Sequence, residues 1–269
     1  MHQILLIAGI GLAVGIMVGL TGIGGGALLV PILVVAVRIS PMVAVGTGTL
    51  FVTATKIGAA WQYHRRGLVE MPLVWRLALG SAPGALLGVG TLALLRAHMG
   101  NNVNGFLKIM IGVLLIATPS IALLKNYLEK RGKKSFRDRL PPYITATNGA
   151  VMVGFVGGFL VGMTSMGSGS IIMTLLLLFY SRSAIRLIGT DIAHAVILGA
   201  VAGAGHLALG TVDFRLLAAL LLGSIPGAWL AAKIAPSVGT VWLRRILFSA
   251  LVVAGVYMFY ISVIASIFP

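Results

Sequence analysis

"VGLTGIGGGALLVP", residues 18–31, interrupts an apolar N-terminal segment with Thr21, Gly22, Gly24, Gly25 and Gly26. Glycine is a poor helix former, so such a cluster breaks a helix where hydrocarbon should surround it. "VGMTSMGSGSIIMT", residues 161–174, repeats the pattern with serines replacing some of the glycines. The break is therefore built twice, and the rest of the chain explains why.

Of the 269 residues 59% are apolar and 9% charged, with a mean hydropathy of +1.07. A soluble domain needs more polar surface than that, so the composition is that of an integral membrane protein. Long apolar runs with frequent glycine fit helices, not the alternating pattern of an outer-membrane barrel. The formal net charge of +15 marks cytoplasmic loops and not a nucleic-acid partner. The connector "KNYLEKRGKKSFRDRL" alone carries seven of the twenty lysines and arginines. The chain has no cysteine, which removes disulfides and thiolate metal sites. Its start, "MHQILLIAGIGLAVGIMVGL", lacks the basic n-region of a signal peptide and reads as a retained segment.

Adding 143 to a first-half position lands on its second-half counterpart. Gly15, Val18, Gly19, Thr21, Gly24 and Gly26 match Gly158, Val161, Gly162, Thr164, Gly167 and Gly169. Gly46-Thr47 matches Gly189-Thr190, Gly67 matches Gly210, and "GSAPGA" at 80–85 matches "GSIPGA" at 223–228. The chain reads as repeats 1–124 and 143–269 joined by a basic cytoplasmic connector, 125–142. Each repeat has an apolar segment (4–20, 144–162), the break, a short run (26–37, 170–180) and three longer segments. These are 44–63, 73–95 and 104–124, then 187–209, 214–235 and 243–267. Small residues every fourth position, such as Gly11, Gly15, Gly19 and their partners, predict close helix packing, and Pro83 and Pro226 predict matched kinks.

The short runs reach roughly 18 Å, against a hydrocarbon core of ~30 Å. If each pairs with the segment before it as a re-entrant hairpin, the repeats point opposite ways. Arg65, Arg66, Arg76, the connector's seven cations, Arg182, Arg186, Lys233, Arg244 and Arg245 are then cytoplasmic. Only Arg38, Arg96, Lys108 and Arg215 lie outside, a division the positive-inside rule favours over the parallel alternative. The expected fold is thus an all-α polytopic membrane protein of two inverted-topology repeats, with both termini outside the cytoplasm.

Inverted repeats with interrupted helices mark secondary transporters. Amide hydrogens at the start of each short helix favour an anion, and glycine lets it approach the backbone closely. The expected anion site comprises Thr21, Gly22, Gly24, Gly25 and Gly26 with Thr164, Ser165, Gly167, Ser168 and Gly169. The alternative for each is a turn glycine or a capping hydroxyl. Lys56 lies about nine residues from Arg65, roughly 13 Å deep, with Thr49 and Thr53 on its face; His194 lies roughly 12 Å deep. Lys56 would attract the substrate. Asp191 would hold Lys56 or His194, or carry a coupling proton; a static Lys56–Asp191 pair is the structural alternative. His206 is expected at the membrane interface.

"GLTGIGGG", "TATK" at 53–56 followed by "HRRGLVE", "GTDIAHAV" at 189–196 and the doubled "GSxPGA" resemble the TauE/SafE family of sulfite and organosulfonate exporters. The resemblance covers nearly the whole chain. It implies a permease that exports sulfite, sulfoacetate or related sulfonates; the inverted repeats predict alternating access, and a bacterial inner-membrane location with no cofactor or metal is expected. It departs from a uniform pattern in "SMGSG", so the two lobes of the site differ. Protons as coupling ion and a homo-oligomer stay open. A passive anion channel and a carrier of another anion, such as a carboxylate, are the rival readings. An intramembrane serine protease built on Ser168 is disfavoured: its motif needs glycine where Met166 stands, and the repeat counterpart of Ser168 is Gly25. The glycine cluster is no dinucleotide loop either, since that site needs a soluble βαβ unit.

Overall fold

The computed structural model describes residues 2–21, 25–130, 147–169, 171–180, 183–234 and 240–267. Among them the chain is all-helical, with no strand. The first half gives α1 (His2–Thr21), α2 (Gly25–Val35), α3 (Pro41–Arg65), α4 (Met71–Met99), a 3-10 turn (Gly100–Asn102) and α5 (Val103–Lys130). The second gives α6 (Thr147–Thr164), α7 (Ile171–Phe179), α8 (Ala184–Ala208), α9 (Phe214–Ile234) and α10 (Thr240–Ile267). Every expected apolar segment contains a helix; α1, α3, α4, α5 and α10 extend beyond the expected bounds, whereas α2 and α7 stop short of them at Val35 and Phe179, and 144–146 lie outside the described residues. α5 continues through the first residues of the connector to Lys130; the connector beyond it lies outside the described residues.

Four stretches among the described residues are long and apolar enough to cross a bilayer, in α3, from α4 into α5, in α8 and in α9. Their outward faces carry large apolar side chains such as Trp75, Leu79, Leu222 and Trp229, as an integral membrane protein requires. α2 and α7 have 11 and 9 residues and cannot span alone.

Sequence neighbours are not the main packing partners. α1 lies along α9, α4 along α6, α3 along α8 and α5 along α10. Glycine permits this: a Cβ on Gly84 would meet the Phe155 carbonyl, and one on Gly227 the Leu12 carbonyl. The small-residue stripes are therefore backbone-to-backbone seams. The contacts themselves recur at the sequence offset. Gly11 faces Leu220 while Gly154 faces Leu77, and Gly15 faces Ser224 while Gly158 faces Ser81. Thr47 Oγ1 accepts from the Asp213 amide and Thr190 Oγ1 from the Glu70 amide, both at 3.0 Å. Pro83 and Pro226 sit at matched positions inside α4 and α9, and Gly67 and Gly210 end matched helices with φ of 66° and 68°.

Candidate functional site

The second break is the best-defined part of the site. α6 ends at Thr164, and Ser165 turns the chain with φ 60°, followed by Gly167 at 139° and Gly169 at 82°. Glycine is the natural occupant of such angles, whereas Ser165 holds one at a steric cost. α7 then restarts, its Ile171 and Ile172 amides donating to the Gly167 carbonyl, each at 3.0 Å.

This turn packs against the other half of the chain. A Cβ on Gly26, in the first turn of α2, would strike the Ser165 carbonyl, and one on Gly48 would lie 3.4 Å from Ser165 Oγ. Gly25 is enclosed by Val18, Phe51 and Val52. The start of α2 and the second break therefore meet in the interior. Gly22 and Gly24 lie outside the described residues. Thr21 closes α1, and nothing is described of its side chain.

α3 and α8 bring the charges to this junction. Lys56 is only 4% exposed, and its Nζ donates to Ser168 Oγ at 3.3 Å. Asp191, 2% exposed, accepts a hydrogen bond from the Gly169 amide, and its charge couples to Lys56. A carboxylate of the chain itself thus takes an amide that an incoming anion was expected to use. The two charges are tied together through the break, with a cation from one half and an anion from the other. His194 Nε2 shares a 2.8 Å hydrogen bond with Ser81 Oγ of α4.

The hydroxyls divide into two groups. Thr49 donates to the Val45 carbonyl and Thr53 to the Thr49 carbonyl, so their hydrogens satisfy their own helix. Thr164 donates to the Leu160 carbonyl and accepts from the Met166 amide, which makes it a cap of the break. Ser165 Oγ, Asp191 Oδ1 and His194 Nδ1 are buried and have no hydrogen-bond partner among the described residues. An unpaired buried polar atom costs about 1–3 kcal/mol, so three at one junction point to a ligand, proton or water that completes them.

Beside them is a cavity of ≈ 510 Å³ between α1, α3, α8 and α9. It is lined by Lys56, Thr55, Gln62, Tyr63, Gly15 and Trp229 among others, and runs along α3 toward its C-terminal end. The corresponding end of α8 is built differently. Tyr63 lines the cavity, but its counterpart His206 is fully buried, bonded to the Gly162 carbonyl at 2.9 Å and Thr211 Oγ1 at 3.0 Å. His206 lies in the last turn of α8, near the end of its span as expected, but its ring is turned into the protein against the α6 backbone. Neither His194 nor His206 bonds Ser168, so the Ser168–His pair that a protease would need does not form among the described residues.

Sequence reasoning missed Ser81, Gln62, Tyr63 and Trp229. Ser81 is the one polar residue of "GSAPGA", where it reads only as part of the repeat and of the family resemblance. The described residues contain no group of three or more His, Asp or Glu able to hold a metal ion.

Helices too short to span, buried charges at a broken helix and a lateral cavity define a helical membrane transport protein. The chain belongs to the sulfite exporter TauE/SafE family, whose sequence profile matches residues 7–258. It is 36% identical to the "Probable membrane transporter protein YjnA" of Bacillus subtilis (strain 168) over 245 residues, 91% of this chain and 95% of that one. "Probable membrane transporter protein YdhB" of the same organism is 24% identical, covering 91% and 96%. A "Probable membrane transporter protein" of Xylella fastidiosa (strain 9a5c) is also 24% identical, covering 87% and 85%. No solved structure matches the chain. The protein is a membrane transporter of this family.

Proposed function

We propose that the protein is a secondary carrier, not an enzyme, that exports a small sulfur-containing anion such as sulfite, sulfoacetate or a related sulfonate. It works by alternating access in the bacterial inner membrane. The chain crosses the membrane several times as two oppositely oriented repeats, with both termini outside the cytoplasm. The observation that carries this reading is the junction of Lys56, Ser168, Gly169 and Asp191, which joins the halves at the edge of the cavity.

The contacts recurring with both numbers shifted by 143 support a two-fold relation between the halves. The lysine and arginine distribution supports placing that axis in the membrane plane. The cavity at the Tyr63 end reaches Lys56, which fits a state with substrate access from that side. That side carries Arg65 and Arg66, hence the cytoplasm.

An anion entering from there meets Lys56 first. To bind, it takes the hydrogen bonds that Asp191 and Ser168 now hold, with Ser165 Oγ and His194 Nδ1 as further contacts. Binding thus unties the two halves from each other and ties both to the substrate, which lets one repeat rock against the other. A proton on Asp191 or His194 is the natural coupling ion, because it would relieve the displaced carboxylate. The sulfur chemistry rests on the family's description alone.

The test is flux into proteoliposomes loaded with sulfite, sulfoacetate, taurine or a simple carboxylate. Saturable uptake of a sulfur oxyanion, with counterflow of labelled substrate and loss of both in Lys56→Ala, is the expected result. Wild-type flux in Lys56→Ala would remove Lys56 from the substrate path, and flux without counterflow would indicate a channel.

A further inference from the structure

A second cationic recess lies on the flank of the protein, away from Lys56. It is a cavity of ≈ 240 Å³ among α2, α5 and α10, lined by Val34, Val35, Arg38, Lys108, Tyr257 and Met258, with Ile261 at its edge. We propose that this recess binds the phosphate of an anionic phospholipid, with the acyl chains lying along α10.

Two cations meet here with no carboxylate among the lining residues, in a chain with only five acidic residues. Like charges in one recess repel unless an anion stands between them. Arg38 holds φ 60° just beyond α2, where glycine is the usual occupant, so its side chain reaches the recess from a strained backbone. Lys108 lies on the second turn of α5 and is half-buried, the arrangement of a lysine that lays its stem on apolar surface and lifts its ammonium toward the headgroups. Tyr257 adds a hydroxyl at the same level and is 46% exposed. Around them Val256, Phe259 and Tyr260 present apolar surface to the membrane.

The cation pair is not repeated in the sequence: Leu251 stands at the position matching Lys108 and Ser181 at that matching Arg38. It is therefore not part of a duplicated transport site. A phosphodiester supplies the missing negative charge, and Val34, Val35, Met258 and Ile261 suit the glycerol and first methylenes.

The experiment is native mass spectrometry of the full chain released from detergent after titration with phosphatidylglycerol, phosphatidylcholine or inorganic phosphate. The expected result is selective retention of phosphatidylglycerol. Retention should weaken roughly five-fold in Arg38→Gln or Lys108→Gln and about thirty-fold in the double variant, on the usual weight of one basic residue near an anionic surface. Lys108→Arg should keep binding, and Arg96→Gln, at a different recess on α4, should not change it. Equal retention of the two lipids, or undiminished phosphatidylglycerol binding in both single variants, would overturn the proposal. Inorganic phosphate bound through Arg38 and Lys108 without lipid would likewise overturn it, because the occupant would then be a soluble anion. The single variants and Lys108→Arg keep the test decisive if the double variant does not fold.

Discussion

Replacing Lys56 with methionine keeps the four-atom stem of the side chain and removes the ammonium, which isolates what the charge does at the junction. The ammonium donates to Ser168 Oγ at 3.3 Å and offsets the carboxylate of Asp191, with both residues almost fully buried. A hydrogen bond from a charged donor is worth about 1.5–3 kcal/mol, and breaking a buried charge pair costs about 3–5 kcal/mol. Because Ser168 and the Gly169 amide share the work of joining the charges, the lower part of that range applies. Lys56→Met should destabilise the protein by about 3 kcal/mol. Asp191→Asn keeps an acceptor for the Gly169 amide but leaves the ammonium without its counter-charge. The double variant removes both charges together, so it should cost less than the sum of the singles by at least about 1 kcal/mol. The assay is denaturant unfolding in one detergent, followed by tryptophan fluorescence, across the four-protein cycle. Additivity within about 0.5 kcal/mol would refute the coupling, and the idea that the two halves are tied by these charges would go with it.

The seams allow a sharper comparison on a single helix. Gly84→Ala places a methyl group against the Phe155 carbonyl and should cost about 1–3 kcal/mol, whereas Gly90, with nothing within 4 Å, should gain roughly 0.5–1 kcal/mol as alanine. Melting temperatures of the two variants in one detergent check the sign of each. Ser81→Ala strands a nitrogen of buried His194 and should cost about 1–3 kcal/mol. Ser224→Ala, whose hydroxyl makes only a 3.5 Å contact to the Leu221 carbonyl, should cost much less by the same measurement.

The helices and the breaks were legible because both are local. Apolar runs set the helices, and the doubled glycine cluster set where α1 and α6 stop. The 143-residue offset anticipated the recurrence of the seams, since equal sequence at equal spacing buries equal faces. The site was legible only in part. Lys56, Asp191 and Ser168 were identifiable because charge and hydroxyl are conspicuous in an apolar span, and the structure brings them together. That Asp191 would take the Gly169 amide was not readable, because it depends on how α8 lies against the break. Thr49 and Thr53 share the face of Lys56 in sequence, yet their hydroxyl hydrogens turn back to their own helix, a rotamer choice no spacing reveals. The partners of His206 were unreadable for a similar reason: its distance from the helix end says nothing of the α6 carbonyl it bonds.

The central claim is that two lobes of opposite orientation meet at one buried charged junction. The chain has no native cysteine, so Arg65→Cys and Ala208→Cys can be labelled singly, at exposed, equivalent last positions of α3 and α8. Intact cells and inside-out vesicles treated with an impermeant thiol reagent should show reaction from opposite compartments, residue 65 from the cytoplasmic face and 208 from the other. Labelling of both positions from one compartment would contradict the antiparallel arrangement.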